Sequence, residues 1–170
     1  MDFIPIFVLE SPVEQHLLAV PVGPDWNEFE LFFIRMSDPE LVRSFCTKNW
    51  KFISMTVSGT IEEVANDICD LAAGMEERFY LCRKDPRRRL DDLFKVTGNR
   101  GTGDEAVQTC ISISEAIKSS LPYPELYALR PAPNYYLVTG GRICLPGGPD
   151  EDEAIQEVEK KWMDIYRSLI

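Results

Sequence analysis

Residues 60–82 read TIEEVANDICDLAAGMEERFYLC and carry the clearest helical pattern in the chain. Thr60 can act as the N-cap, and the carboxylate of Glu63, three residues later, can accept a hydrogen bond from the Thr60 backbone N–H. Apolar side chains recur every three or four residues, which places them on one face of an α-helix. They are Ile61, Val64, Ile68, Leu71, Met75, Phe79 and Cys82. Because such a helix must bury its apolar face against a sheet or other helices, the segment predicts a layered globular fold.

Four other segments show the alternating or apolar pattern of β-strands. They are residues 3–9, 16–22, 29–36 and 50–57. The connections between the first three are short, which favours an antiparallel meander. Pro5 places the first strand at an edge, because proline cannot donate a hydrogen bond to the ladder. The third segment is apolar on both faces and is therefore predicted to be a central strand.

The C-terminal part is predicted to contain a hairpin. Residues 135–145 are expected to turn at Gly140 and Gly141, which tolerate the backbone angles of a two-residue turn. Four prolines lie in residues 122–134, so this segment is predicted to be an irregular or extended connector.

Further helices are predicted at residues 38–46, 104–121 and 150–170. Strands occur in blocks rather than in alternation with helices, which favours an α+β fold over a doubly wound parallel one. The prediction is one domain over the whole chain, with a mostly antiparallel sheet. An N-terminal three-strand meander, a later strand and a C-terminal hairpin build the sheet, and helices near 60–82, 104–121 and 150–170 cover it.

Length and charge narrow the possible functions. The chain has 170 residues, which suits one domain, and a formal net charge of −10. Non-specific nucleic-acid binding requires a basic face that displaces counterions, so a nucleic-acid partner is not favoured, whereas a basic protein partner is compatible. No apolar run approaches the roughly 18 residues of a transmembrane helix, and residues 1–9 lack a basic leader. The sequence therefore predicts a cytoplasmic protein without membrane contact.

The cysteines and the histidine give no metal-site pattern. Five cysteines are widely spaced without a C-x-x-C pair, and His16 is the only histidine. The cysteines are Cys46, Cys69, Cys82, Cys110 and Cys144. They are interpreted as buried free thiols of a reducing compartment, and neither a metal nor a cofactor is predicted. Nothing in the sequence places a serine or cysteine beside His16, so no catalytic pair is predicted.

The densest basic patch lies in residues 83–92, RKDPRRRLDD. Its cationic residues are Arg83, Lys84, Arg87, Arg88 and Arg89. Arginine forks match carboxylates and phosphates, so these residues are candidates for binding an acidic partner, a phosphate or an RNA backbone. Asp85, Asp91 and Asp92 partly neutralise the patch, and a solvated surface of mixed charge is the alternative.

Two other features are candidate sites. Tyrosines lie in and beside the proline-rich segment, where they are either binding anchors or a cover for the core. They are Tyr123, Tyr127, Tyr135 and Tyr136. The loop GNRGTG at 98–103 precedes a predicted helix and is either a ligand loop or an ordinary surface loop, because it lacks the P-loop lysine and is followed by Asp104 and Glu105.

These observations favour a non-enzymatic accessory or adaptor protein that binds another protein. The expected surface combines the arginines, or the acidic residues 150–153, with the tyrosines. One alternative is a small-molecule site or enzyme whose pocket lies between the sheet and the helix at 60–82. Another is RNA or phosphate binding through the basic patch.

Overall fold

The computed structural model describes residues 2–94, 122–148 and 151–169 of the chain. Their main feature is a four-stranded sheet with helices packed on both faces. The predicted helix at 104–121 and the glycine loop at 98–103 lie outside the described residues.

The sheet is formed by strands from both ends of the chain. In the described ranges the strands are β1 (Ile4–Leu9), β2 (Gln15–Ala19), β3 (Pro21–Val22), β4 (Trp26–Asn27), β5 (Tyr123–Ala132) and β6 (Tyr135–Cys144). The sheet has the order β1-β2-β6-β5, with antiparallel pairing of β1 with β2 and of β5 with β6, and parallel pairing of β2 with β6. β3 and β4 form a separate short ribbon. The predicted α+β class with a mostly antiparallel sheet is therefore confirmed.

The helices include those that the sequence predicts most clearly. Within the described part of the chain they are α1 (Glu28–Met36), α2 (Pro39–Lys48), α3 (Trp50–Ile53), α4 (Ile61–Lys84), α5 (Leu90–Leu93) and α6 (Glu151–Leu169). Thr60 caps α4 by accepting a hydrogen bond from the Glu63 N–H at 3.2 Å, and Asp38 caps α2 in the same way. None of these helices has a stretch long and apolar enough to span a bilayer.

The two faces of the sheet carry separate apolar clusters. On one face, α1, α2 and α4 pack against strand residues such as Leu17, Leu126 and Val138. On the other face, α6 places Trp162 and Ile165 against its own set of strand residues. Because side chains alternate along a strand, β5 and β6 contribute to both clusters.

The prediction that residues 29–36 form the third strand of a meander is wrong, because they belong to α1. Asn27 caps this helix by accepting a hydrogen bond from a backbone N–H three residues later at 2.9 Å. Phe32, Phe33 and Met36 are buried at helical spacing. The segment is apolar on two sides because one side of α1 faces the sheet and the other lines a groove. A short apolar run of this kind does not distinguish a buried strand from a helix by its periodicity.

The prediction of a strand at residues 50–57 is also wrong. The segment contains α3 followed by a turn, and the Asn49 carbonyl accepts hydrogen bonds from the N–H groups of Phe52 and Ile53, both at 3.0 Å. Ile53 is fully buried, whereas Met55 is 79% exposed, so the alternation of apolar and hydroxyl residues does not mark two faces of a sheet.

The C-terminal hairpin exists but turns at a different place. The segment predicted as a connector contains β5, which pairs with β6, and the chain reverses at 133–134 instead of at Gly140 and Gly141. Prolines are tolerated in β5 because it is an edge strand. Gly141 instead allows α1 to pack closely on β6, because a Cβ at this position would lie 2.2 Å from Cδ2 of Phe32.

Candidate functional site

A groove of about 680 Å³ opens at the edge of the sheet between β1, α1 and α4. Aromatic side chains form its inner wall. The ring centroids of Phe29 and Phe79 are 5.3 Å apart, those of Phe33 and Phe79 are 6.2 Å apart, and both pairs pack edge to face. Such packing fixes the shape of the wall before any ligand is bound.

Three large apolar side chains on this groove are about half exposed. They are Trp26 of β4, Ile34 of α1 and Tyr80 of α4, with exposed fractions of 48%, 49% and 52%. Large apolar side chains that gather on one exposed surface mark interaction sites in soluble proteins. The groove is therefore the apolar part of the candidate site.

The rim of the groove carries both signs of charge. Glu30, Glu76 and Arg83 line it. Among the described residues, no ion pair joins any of these three to another side chain. Glu76 and Arg83 lie seven residues apart on α4, about 10 Å along the helix axis. The rim therefore presents a carboxylate and a guanidinium at separate positions.

Arg83 connects the groove to the predicted basic patch, residues 83–89, here named the basic turn. All five of its cationic side chains are exposed. Arg87 donates two hydrogen bonds to the Asp85 carboxylate, at 3.0 and 3.1 Å, and these lower the pKa of Asp85. The ammonium of Lys84 lies 4.8 Å from the ring centroid of Tyr80. Within the basic turn, Arg87 is therefore paired with Asp85, whereas Arg83 lines the groove.

A buried glutamine holds the basic turn against the sheet. Gln15 of β2 is fully buried, and its Nε2 donates to the Arg88 carbonyl at 2.9 Å. Its Oε1 accepts from the Leu90 N–H at 2.7 Å. Both polar ends of the side chain are therefore satisfied by the backbone of the turn, which fixes the position of the exposed arginines.

A second anchor lies at Asp91, two residues beyond the end of the basic turn. Its carboxylate accepts from Arg130 at 2.8 and 3.0 Å, from the Tyr136 hydroxyl at 2.6 Å and from the Asn134 N–H at 3.0 Å. Burial alone would raise the pKa of Asp91, but these hydrogen bonds outweigh it and hold the pKa below its usual range. The pKa of Tyr136 is raised by burial and by its hydrogen bond to Asp91. This cluster is structural, since every group in it is engaged by its neighbours.

The four tyrosines predicted as binding residues do not share one surface. Tyr127 and Tyr136 are buried on opposite faces of the sheet, and Tyr136 stacks on Phe94. Tyr123 and Tyr135 are half-buried at opposite ends of the β5–β6 hairpin. Of the predicted cationic residues, Arg83 therefore lines the groove, whereas none of the four tyrosines does.

The described cysteines and His16 do not form a catalytic pair. Burial raises the pKa of Cys46 and of Cys82 to about 11, and it also raises the pKa of Cys69. His16 stacks on Tyr135 and hydrogen bonds to Glu14. In residues 2–94, 122–148 and 151–169, no group of three or more histidine, cysteine or acidic side chains could hold a metal ion.

The sequence predicts a pocket between the sheet and the helix at 60–82 only as an alternative, and it does not predict the exposed apolar residues of the groove. The sequence contains a signal for one exposed residue of the groove. Tyr80 lies outside the apolar stripe of α4, so its large aromatic side chain is expected to face solvent. Ile34 gave no signal, because the assignment of residues 29–36 to a strand hid the helix that presents this side chain.

Comparison with protein-family models, curated proteins and solved structures finds no match to this chain. The function is therefore inferred from the geometry of the site.

Proposed function

We propose that this protein binds another protein through the groove between β1, α1 and α4, with Arg83 of the basic turn at its rim. The observation that carries the proposal is the exposure of Trp26, Ile34 and Tyr80 on one groove. Binding hot spots are enriched in tryptophan, tyrosine and arginine, which this surface combines. The chain would then be an accessory or adaptor protein without catalytic activity.

The wall and the rim both support a protein partner over RNA. RNA backbones are recognised by continuous positive charge, but Glu30 and Glu76 lie on the groove and Asp85 engages Arg87. A protein segment can present an apolar side chain to the wall and charges of both signs to the rim.

The proposal extends to the compartment. Among the described cysteines, Cys46, Cys69 and Cys82 are free thiols, which suits a reducing environment such as the cytoplasm. Thiol quantification of the denatured protein, isolated without reductant, tests this: disulfide-bonded cysteines would contradict it.

Capture from an extract of the source cells, followed by measurement of Kd with the purified partner, tests the function. The Ile34→Glu variant places a charge on the apolar wall, and we expect its Kd to rise at least tenfold. Leu41→Glu is the matched control, since Leu41 is also exposed (41%) but lies on α2 outside the groove. Its Kd should change by no more than about twofold.

A charge reversal provides the second arm. Arg83→Glu should weaken binding about tenfold and reduce its dependence on salt, because a rim charge contributes through screened electrostatics. Arg167→Glu makes the same charge change on α6, which packs on the opposite face of the sheet. The proposal would be overturned if the Kd of the partner were the same for wild type, Ile34→Glu and Arg83→Glu, or if no stoichiometric partner were captured.

A second candidate is a small apolar ligand in the same groove. Its volume falls within the roughly 300–1,000 Å³ of ligand sites, and it lies between the sheet and α4. Mass spectrometry of the purified protein under native and denaturing conditions distinguishes the two: a stoichiometric small molecule, released on denaturation and absent from Ile34→Glu, would favour this candidate.

A further inference from the structure

The two edges of the sheet differ in exposure. Of the six residues of β1, only Phe7 is buried, and Ile4 and Val8 are 39% and 44% exposed. In β5, at the other edge, residues 124–129 are all buried. No described strand pairs with the outer edge of β1. β1 is therefore the edge that remains accessible.

The second half of β1, Phe7 to Leu9, lacks the usual protection of an open edge. The whole strand reads IPIFVL and contains no charged side chain. Natural edge strands avoid unwanted pairing by means of charges, prolines and bulges. Here Pro5 and an irregular register between Pro5 and Phe7 interrupt the strand, which leaves Phe7 to Leu9 without such a device. An apolar edge of this kind suits a strand supplied by a partner.

The groove lies where the side chains of an added strand would go. Ile6 and Phe7 of β1 bound it on one side, and α1 and α4 bound it elsewhere. A strand beside β1 would lie about 4.8 Å away, with alternate side chains directed to the two faces of the sheet. The side chains on the helical face would enter the space next to Phe33 and Tyr80.

We propose that β1 accepts an extended segment of the partner protein as a fifth strand, and that the segment carries a basic, an apolar and an acidic residue at alternate positions. The inference rests on the proposed function and specifies its mode. The apolar side chain fills the groove, the basic residue faces Glu30 and Glu76, and the acidic residue faces Arg83. Positions i and i+4 of a strand are about 13 Å apart. Glu76 and Arg83 are about 10 Å apart along the axis of α4. The long side chain of Arg83 can span the difference between these two distances.

A displayed library of random dodecapeptides, selected on the full chain and counter-selected on Ile34→Glu, tests the occupant. We expect enriched peptides with the alternating basic, apolar and acidic pattern. Enrichment of apolar residues at helical i, i+3 and i+4 spacing would overturn strand addition and leave a groove that binds a helix. No enrichment over the counter-selection would also overturn it, whereas the partner capture described above decides the function independently.

One enriched peptide, synthesised and added to ¹⁵N-labelled protein, tests the position. Amide exchange in β1 should slow at least tenfold on binding, since β-strand addition forms backbone hydrogen bonds. Binding without added protection of β1, or full protection of the β1 edge before peptide is added, would overturn the proposal.

A charge swap tests the orientation. Arg83→Glu should bind the enriched peptide about tenfold more weakly, and exchange of the acidic residue of the peptide for lysine should restore most of this loss. Arg167→Glu should bind both peptides as the wild type does. Equal binding of both peptides by wild type and Arg83→Glu would refute the assigned contact.

Discussion

At the scale of single residues, Asp91 is the group on which the local structure beside the basic turn depends. Its four hydrogen bonds join the end of the turn to Arg130, Asn134 and Tyr136. Asp91→Asn removes the charge and breaks part of this network, so we expect the free energy of unfolding at pH 7 to fall by about 2 kcal/mol. Urea denaturation measures the change. Asp92→Asn, next in the chain and exposed, should change it by less than about 0.5 kcal/mol.

The pH dependence of this effect follows from the lowered pKa of Asp91. A carboxyl whose pKa is lower in the folded state stabilises the protein fully above the unfolded pKa of about 4, and this contribution disappears as the pH falls through the folded pKa. The difference in stability between wild type and Asp91→Asn should therefore narrow below about pH 4. A difference that stays constant down to pH 2 would mean that the charge of Asp91 contributes nothing.

The thiols give a second prediction for single residues. Burial raises the pKa of two thiols, Cys46 and Cys82, to about 11. The Sγ of Cys82 lies 3.5 Å from the Arg88 carbonyl oxygen. Because the thiolate is the reactive form, iodoacetamide at pH 7.4 should leave both unmodified in the native protein and modify both after denaturation. Peptide mass spectrometry assigns the sites. Rapid modification of either residue in the native state would support the enzyme alternative.

At the scale of elements, the contact of α1 with β6 depends on one missing side chain. A Cβ at Gly141 would meet Phe32 at 2.2 Å and the Glu125 carbonyl oxygen at 2.9 Å. Gly141→Ala should therefore move α1 or strain β6, at a cost of about 2 kcal/mol in the free energy of unfolding. Chemical denaturation gives the value, and an unchanged stability would show that α1 adapts without strain.

Gly74 is the matched control within α4. A Cβ there would meet nothing within 4 Å. Gly74→Ala should stabilise the protein by up to about 1 kcal/mol, because alanine favours the helix interior. Glycine-to-alanine substitution is thus expected to change the free energy of unfolding in opposite directions at Gly141 and Gly74. A loss of stability in Gly74→Ala would contradict the open space around this position.

The elements also show which signals the sequence contains. Caps and a single apolar stripe are enough to identify α4 and α2 from the sequence alone, because these signals are local. Residues 29–36 lack that clarity, since the tertiary structure places apolar neighbours on two sides of α1. β5 is hidden by its prolines, which only its place at the sheet edge makes acceptable.

At the scale of the whole molecule, the candidate site is assembled from segments far apart in the sequence. The groove brings together β1, α1 and α4, and the basic turn is held by Gln15 and by the β5–β6 hairpin through Asp91. The positive charges of the turn are visible in the sequence, but the apolar groove that Arg83 lines is formed only by long-range contacts. This is why the sequence predicts the arginines and misses Trp26, Ile34 and Tyr80.

The same sheet couples the two helical layers, which gives a prediction for the whole molecule. Trp162 of α6 donates from Nε1 to Thr139 Oγ1 at 2.8 Å and packs edge to face on Tyr127. Trp162→Ala removes this contact and leaves a cavity, so we expect a loss of about 3 kcal/mol in the free energy of unfolding. Glu157→Ala, an exposed change on the same helix, should alter it by less than about 0.5 kcal/mol.

Hydrogen exchange shows whether this loss is shared by both layers. Strands β5 and β6 contribute side chains to both apolar clusters, so a change on the α6 face should destabilise α4 on the other face to the same extent. The slowest amides of α4 should then exchange faster in Trp162→Ala by the factor that corresponds to the loss measured in urea. If α6 instead opens by itself, its amides will exchange faster in the variant while those of α4 keep their wild-type rates. That result would separate α6 from the cooperative unit that carries the groove.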